Sequence, residues 1–321
     1  ADVQRALAQA APATALGLGM HQVWVQAARA VRARGESFLQ AVTDHAADDQ
    51  LLAFGVSEPG NDAVLFDSST TAEPDGDGGY RFTGTKVFTS LAPAWDVMSV
   101  FGKDASGAEP RLVHGFVLRS DGDVEHLDDW DTLGMRATQS RTTKLHGVHV
   151  PAGRIVRSLP VGPNQDPLVF GIFASFELLI ASVYVGIAER AIALAATAVA
   201  HRTAADGTRR SQDPDVRRAI ADLRGAVDAI TLQVDSLARS VDEVDDLGAR
   251  WFPLLVGTKA RAVDTAQHVV DEAMRVVGGS AFRASSELAR LARDVRAGQY
   301  HPSSRDSAAR TIAASVLGPL G

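Results

Sequence analysis

A chain of 321 residues, 45% of them hydrophobic, is long enough for two or three packed layers or domains and has the composition of an ordinary globular protein. Its 39 acidic against 32 basic residues give a net charge of -7, and no basic tract is interleaved with aromatics, so nucleic-acid binding is set aside as a main role. The absence of cysteine removes disulfides, thiolate metal sites and a cysteine nucleophile together, and leaves the cytoplasm as the default location.

In chain order, residues 2–52 read as helical. Val3, Leu7 and Ala10 recur at helical spacing, 12–19 forms a break, and 20–31 and 38–45 continue as apolar-faced helices, with Gly35-Glu36-Ser37 as a start signal for the second. The pattern opens on Ala1 in mid-helix, so a preceding segment is expected; polar residues interrupt 1–12, which does not read as a secretory signal. From Gly55 to about 156 the period shortens. The runs 80–82, 87–88, 97–101, 112–118 and 144–150 are strand-like and divided by Gly, Pro and Asp turns. After Pro160-Val161-Gly162-Pro163, long helices return over 168–201, 214–244, 251–277, 285–297 and 303–317, enough for an antiparallel bundle. The run 168–188 is apolar and long enough to suggest a membrane span. Glu177 in its middle, Gly171, Gly186 and the lack of flanking basic clusters favour a buried interface helix and no membrane span. The expected fold class is therefore α+β: a helical segment over 1–52, an antiparallel β-barrel-like domain over 53–157 and an antiparallel four-helix bundle over 158–321.

One stretch stands out for chemistry. It runs from Ala53-Phe54-Gly55-Val56-Ser57-Glu58-Pro59-Gly60-Asn61-Asp62 to Gly84-Thr85-Lys86-Val87-Phe88-Thr89-Ser90. An apolar run ending in this loop leaves backbone donors and a hydroxyl at the mouth of a strand, where a planar, hydrogen-bonding ligand fits; the same loop alone is also an ordinary turn. Taken together, the two motifs resemble the flavin-holding strands of the acyl-CoA dehydrogenase family. Further anchors follow in order: Leu133-Gly134-Met135-Arg136-Ala137-Thr138-Gln139-Ser140, Val148-His149-Val150-Pro151, Val185-Gly186-Ile187-Ala188, Val277-Gly278-Gly279-Ser280 and Leu291-Ala292-Arg293-Asp294.

The resemblance implies FAD held on the β side by Phe54, Val56, Ser57, Asn61, Phe88, Thr89 and Ser90. It also implies an arginine, Arg202, reaching the FAD pyrophosphate across a subunit interface, a role that suits a guanidinium fork. Gly278 and Gly279 match the loop that lets backbone approach the adenosine end. A homodimer or homotetramer, an acyl-CoA or related substrate and an electron-transfer protein as partner belong to the same expectation.

The resemblance fails at the catalytic base. Dehydrogenation of a thioester needs a carboxylate to take the α-proton while flavin takes the hydride. Counted from Asp294, the usual position of that glutamate falls on Pro302; the relocated position of a second branch falls on Phe176, one residue short of Glu177. Glu177 serves as base after a register shift, or as a buried carboxylate paired with an arginine of the bundle. The loop that would carry the base reads Gly298-Gln299-Tyr300-His301-Pro302-Ser303-Ser304. A histidine there resembles the reduced-flavin monooxygenase branch of the same fold, and His301 is expected to titrate near neutral pH. Three readings stand: an FAD oxidoreductase acting on an acyl substrate, which leads; a monooxygenase with FMN and a flavin reductase, acting on a small hydrophobic compound; and a catalytically degenerate paralogue. His146 and His149 point to opposite faces of one strand and His21, His45, His201 and His268 are scattered on helices, so no metal site is expected.

Overall fold

A computed structural model describes residues 1–61 and 63–318; Asp62, the end of the Glu-Pro-Gly-Asn-Asp loop, lies outside the described residues. The chain forms two compact units, one of Ala1–Leu16, Thr132–Met135 and Glu177–Gly321, the other of Gly17–Asp131 and Arg136–Phe176. These units divide the chain by packing, whereas the segments 1–52, 53–157 and 158–321 divide it by type of secondary structure. Two helices, α2 (Pro12–Ala33) and α4 (Pro167–Ala200), begin in one unit and end in the other.

The second unit is built on an eight-stranded sheet of β1 (Leu52–Phe54), β2 (Thr71–Pro74), β3 (Tyr80–Thr89), β4 (Val97–Asp104), β5 (Arg111–Leu118), β6 (Val124–His126), β7 (Arg141–Val150) and β8 (Ile155–Pro160), in the order β6-β7-β3-β2-β4-β5-β8. Most neighbours are antiparallel, but β1 and β2 both lie parallel to β4, along one edge of it. The five strand-like runs fall in four strands, β3, β4, β5 and β7; β1, β2, β6 and β8 are too short or too mixed to show a period of two. β4 and β5 are buried on both faces over most of their length, which is why they read as near-continuous apolar runs. Phe82, Trp95, Met98, Val113, Val117, Leu145 and Val150 form the core on one side. Elsewhere in the unit Trp24 of α2 meets Phe116 edge-on at 4.9 Å and Phe54 at 5.8 Å, and Phe54 stacks on Phe176 at 5.7 Å. α3 (Gln40–Ala47) completes it.

The expected break at 12–19 does not occur. Pro12 stands at the first helical position, where its missing N–H costs nothing, and α2 continues through Gly17, whose added Cβ would touch Leu91 at 3.4 Å.

In the first unit, α1 (Asp2–Ala10) lies against the later part of α4: a Cβ on Gly186 would come within 2.3 Å of the Arg5 carbonyl oxygen. α5 (Pro214–Asp242) is capped by the Asp213 carboxylate, which accepts from the Asp215 and Val216 amides, and buries Leu223, Val227, Ile230, Val234 and Leu237 on one stripe. α6 (Trp251–Val277) packs against α5, α7 (Glu287–Asp294) and α8 (Arg305–Leu317), and ends on Gly278 at φ 78°. α4 is long and apolar enough to cross a membrane by length and composition, and 83% of its most apolar window is buried inside the protein.

Candidate active site

In the sheet unit, the two motifs are stitched together at the backbone: the Val87 amide donates to the Ser57 carbonyl at 2.8 Å. Beneath them lies an ion pair. Lys86 and Glu58, both without solvent exposure, meet at 2.6 Å. Glu58 also accepts from the hydroxyls of Ser68 (2.6 Å) and Thr70 (2.7 Å) and from the Ser69 amide (2.6 Å). Burial works against the Glu58 charge, but Lys86 and these donors outweigh it and hold the carboxyl far below its ordinary range. The Lys86 ammonium also donates to the Phe101 carbonyl at 2.8 Å and sits 4.1 Å from that ring's centroid; burial brings it down to about 8 despite Glu58. The conspicuous Glu-Pro-Gly and Gly-Thr-Lys letters are therefore a buried brace, a role the sequence reading had not assigned.

Asn61 belongs to that brace. Its amide nitrogen donates to Glu58 (3.1 Å) and to the Asp67 carbonyl (2.8 Å), while its amide oxygen accepts from the Ala63 amide at 3.0 Å. Phe54 and Val56 are buried, Phe54 within the Trp24 and Phe176 aromatic cluster. Phe176, where a relocated base would stand, is thus an apolar packing residue. Ser57 is half-buried.

The end of β3 differs. Phe88 is 58% exposed, at φ 57°, with Trp130 edge-on at 6.3 Å. Thr89 is fully buried, and its hydroxyl finds no partner among the described residues. Ser90 starts a chain of buried hydroxyls: Ser90 Oγ lies 2.8 Å from Ser140 Oγ, which donates to Thr138 Oγ1 at 2.7 Å. Leu91 and Gln139 on either side of this chain have φ of 65° and 47°. Phe88, Leu91 and Gln139, on two segments joined by the Leu91 amide donating to the Thr138 carbonyl, are three non-glycine residues in the left-handed region, a concentration of backbone strain of the sort that marks functional sites.

In the helical unit, Arg202 turns onto the Gly-Gly loop, its guanidinium donating to the Val277 carbonyl and the Ser280 hydroxyl. Arg202 and the Gly278-Gly279 loop thus lie together within one chain. The Leu133-Gly134-Met135 element meets the Arg293-Asp294 end of α7: the Met135 amide donates to Asp294 at 2.7 Å, and a Cβ on Gly134 would come within 2.3 Å of the Arg293 carbonyl.

The loop after α7 holds the remaining candidates. His301 is half-buried, its Nδ1 3.5 Å from the Tyr184 hydroxyl. Burial, and then the charge of Lys259, push its pKa down to about 3. The expectation of a histidine titrating near neutral pH is overturned: at neutral pH this imidazole is uncharged. Burial with help from Asp294 raises Tyr184 well above its usual range, so its hydroxyl keeps its proton. Glu177 is 1% exposed, and its Oε1 accepts from the Ser303 amide (3.1 Å) and hydroxyl (2.9 Å). Burial raises its pKa, opposed by Lys259 and the Ser303 donors. The cation beside it is Lys259 rather than an arginine of the bundle, and the carboxylate anchors a loop instead of standing open to a substrate. Lys259, a lone cation on the buried stripe of α6, gave no signal in the sequence. Pro302 offers no proton acceptor on its side chain. Among the described residues no group of three His, Asp or Glu side chains is placed to hold a metal.

Residues 178–305 match the family described as acyl-CoA dehydrogenase, C-terminal domain. The L-evernosamine nitrososynthase of Micromonospora sp. (strain ATCC 39149 / NRRL 15099 / SCC 1413) is 30% identical over 97% of this chain and 75% of its own length. The amino sugar nitrososynthase RubN8 of Streptomyces rubradiris is 29% identical over 88% of this chain, which spans 66% of that relative. Among solved structures, KijD3 in complex with FMN and dTDP-3-amino-2,3,6-trideoxy-4-keto-3-methyl-D-glucose superposes with a TM-score of 0.86 at 25% identity, covering 99% of this chain and 79% of that one. With the order of helices, sheet and helices, the paired strand motifs and this extent of similarity, the chain belongs to the acyl-CoA dehydrogenase family of flavoproteins.

Proposed function

We propose that the protein is a reduced-flavin-dependent monooxygenase that adds oxygen to the amine nitrogen of a nucleotide-linked amino sugar, with reduced FMN delivered by a separate flavin reductase. The observation that carries this reading is the 298–304 loop, which offers an uncharged imidazole where a dehydrogenase needs a carboxylate, while the neighbouring carboxylate of Glu177 is tied to Ser303. The substrate class comes from the relatives, since making a nitroso group from an amine requires oxygen on nitrogen. A dehydrogenase acting on acyl-CoA, with FAD, is the weaker reading because no carboxylate on this loop or at residue 176 is free to take a proton.

The residues present suit a flavin. The exposed Phe88 ring offers a flat apolar contact, and the Thr89 hydroxyl is a buried group lacking a partner. Phe88 and Ser90 would hold its ring, and Arg202 would reach its phosphate from a second subunit. Reduced flavin, when bound, supplies two electrons and activates dioxygen. The substrate amine would gain one oxygen atom between nitrogen and hydrogen, and the second oxygen atom of dioxygen would leave as water, the two electrons and two protons coming from the reduced cofactor. His301, uncharged at neutral pH and kept from protonation by burial and Lys259, would accept a hydrogen bond from the substrate's N–H, the substrate reacting as its free amine. A homodimer or homotetramer completing the site, and a cytoplasmic location, are part of the proposal.

The test combines two reactions. Chemically reduced FMN, oxygen and a thymidine-diphosphate amino sugar should yield a product heavier by one oxygen, and His301→Asn should lower its rate by about 100-fold with flavin binding retained. Anaerobic bleaching of bound flavin by an acyl-CoA, with no oxygenated amine, would overturn the reading.

A further inference from the structure

Lys259 stands on α6 among apolar neighbours at 1% exposure, and its ammonium donates to three carbonyls of a single loop: Gly298 at 3.2 Å, His301 at 2.8 Å and Ser303 at 2.9 Å. From α4, Glu177 grips the same loop through the Ser303 amide and hydroxyl. Ser303 is thus held from both sides, its carbonyl by the cation and its amide and hydroxyl by the anion. Gly298 seats the start of the loop against the bundle, since a Cβ there would come within 2.7 Å of Val263 and 2.8 Å of Tyr184. Burying two charges costs more than packing apolar side chains of similar size, so the pair is a poor way to gain stability alone. It is a good way to fix the path of backbone that no regular element holds, because an ammonium gathers several carbonyls where an apolar side chain gathers none.

We propose that Glu177 and Lys259 form a two-point clamp that fixes the 298–303 loop and thereby the place of the His301 imidazole, which makes both of them positioning residues. Tyr184 from α4 and Lys259 from α6 face that imidazole, Glu177 of α4 and Asp264 of α6 act in turn on Lys259, and Asp294 of α7 acts on Tyr184. Lys259 has a second effect on the ring: its charge opposes protonation of His301. The clamp rests on the oxygenase reading only for its kinetic consequence, which is that loosening it lowers turnover while leaving the substrate KM in place.

Hydrogen exchange of the whole chain, followed by mass spectrometry on the peptide covering 298–304, reads the clamp without flavin or substrate. Lys259→Met should speed exchange of that peptide by about tenfold or more, because its carbonyl anchors are lost. It should also raise the pH at which the His301 ring proton titrates by NMR. Ser303→Ala deletes one oxygen, is mild enough to fold, and should speed exchange by about threefold without moving that titration upward. Exchange within twofold of the parent chain in both variants would overturn the clamp, as would a Lys259→Met protein whose His301 titration is unmoved. A parent chain inert toward reduced FMN and oxygen would instead overturn the oxygenase reading, and the exchange result would stand apart from it.

Discussion

Glu58 and Lys86 show how a short motif can mislead about its job. Both letters sit in the strands that resemble a flavin cradle, yet both side chains are sealed beneath it, each the other's main partner. Lys86→Met leaves the Glu58 carboxylate buried with hydroxyl and amide donors only. It should cost about 3–5 kcal/mol, read as a lower midpoint in urea unfolding, and a loss below 1 kcal/mol would show that Glu58 simply takes up a proton instead. At this scale the sequence displayed residue types and spacing but not pairing. His301 was legible as a chemical candidate, while its uncharged state comes first from burial and then from Lys259, which is distant in sequence and lies on a helix whose pattern looks unremarkable. Glu177 was legible as an oddity in an apolar helix; its partner, Ser303, was not.

Elements were read more reliably than side-chain roles, because helical and strand periods are repeated over many residues whereas a contact is made once. The helices of the bundle and the four longer strands followed from periodicity, and the misses were short strands such as β1 and β6 and the proline start of α2. Glycines mark where elements touch, and two of them support predictions. Gly134→Ala would drive a methyl into the Arg293 carbonyl and part the Met135–Asp294 hydrogen bond, so the melting temperature should fall by several degrees, corresponding to about 2–3 kcal/mol. Gly298→Ala meets side chains instead of backbone. It should cost less, about 1–2 kcal/mol, and act mainly by lifting the 298–303 loop, seen as faster exchange there and slower turnover. Equal effects of the two on global stability would contradict this distinction.

For the whole molecule, pH gives a test that any single element would miss. His114 is 4% exposed, stacks on Phe101 at 5.2 Å, and is lowered to about 4 by burial and then by the Lys86 charge. His301 is lowered to about 3. Unfolded histidines titrate near 6.5, so below that pH the unfolded chain binds protons that the folded one refuses. Stability is therefore full above pH 6.5 and falls as the solution is acidified toward pH 4, with His114 alone accounting for about 2 kcal/mol by pH 5. Thermal melts between pH 7.5 and 5 should show this decline, and His114→Phe should remove its own share while that of His301 and His126 remains; a melt indifferent to pH in that window would mean that these rings are reached by water. Membership of the family was legible because its motifs are spread along the chain in fixed order, but the reaction was not, since the 298–304 loop carries no carboxylate and the chemistry of its other groups depends on packing from distant helices.

Trp130, set edge-on to the exposed Phe88 ring, carries a practical consequence. Oxidised flavin absorbs in the band where indole emits, so a flavin resting on Phe88 would drain the excitation of Trp130 before it could radiate. Titrating FMN into the protein should dim its tryptophan emission in proportion to occupancy, and Trp130→Phe should remove most of that dimming while sparing the signal from Trp24, Trp95 and Trp251. The protein then reports its own loading by light, with no label attached.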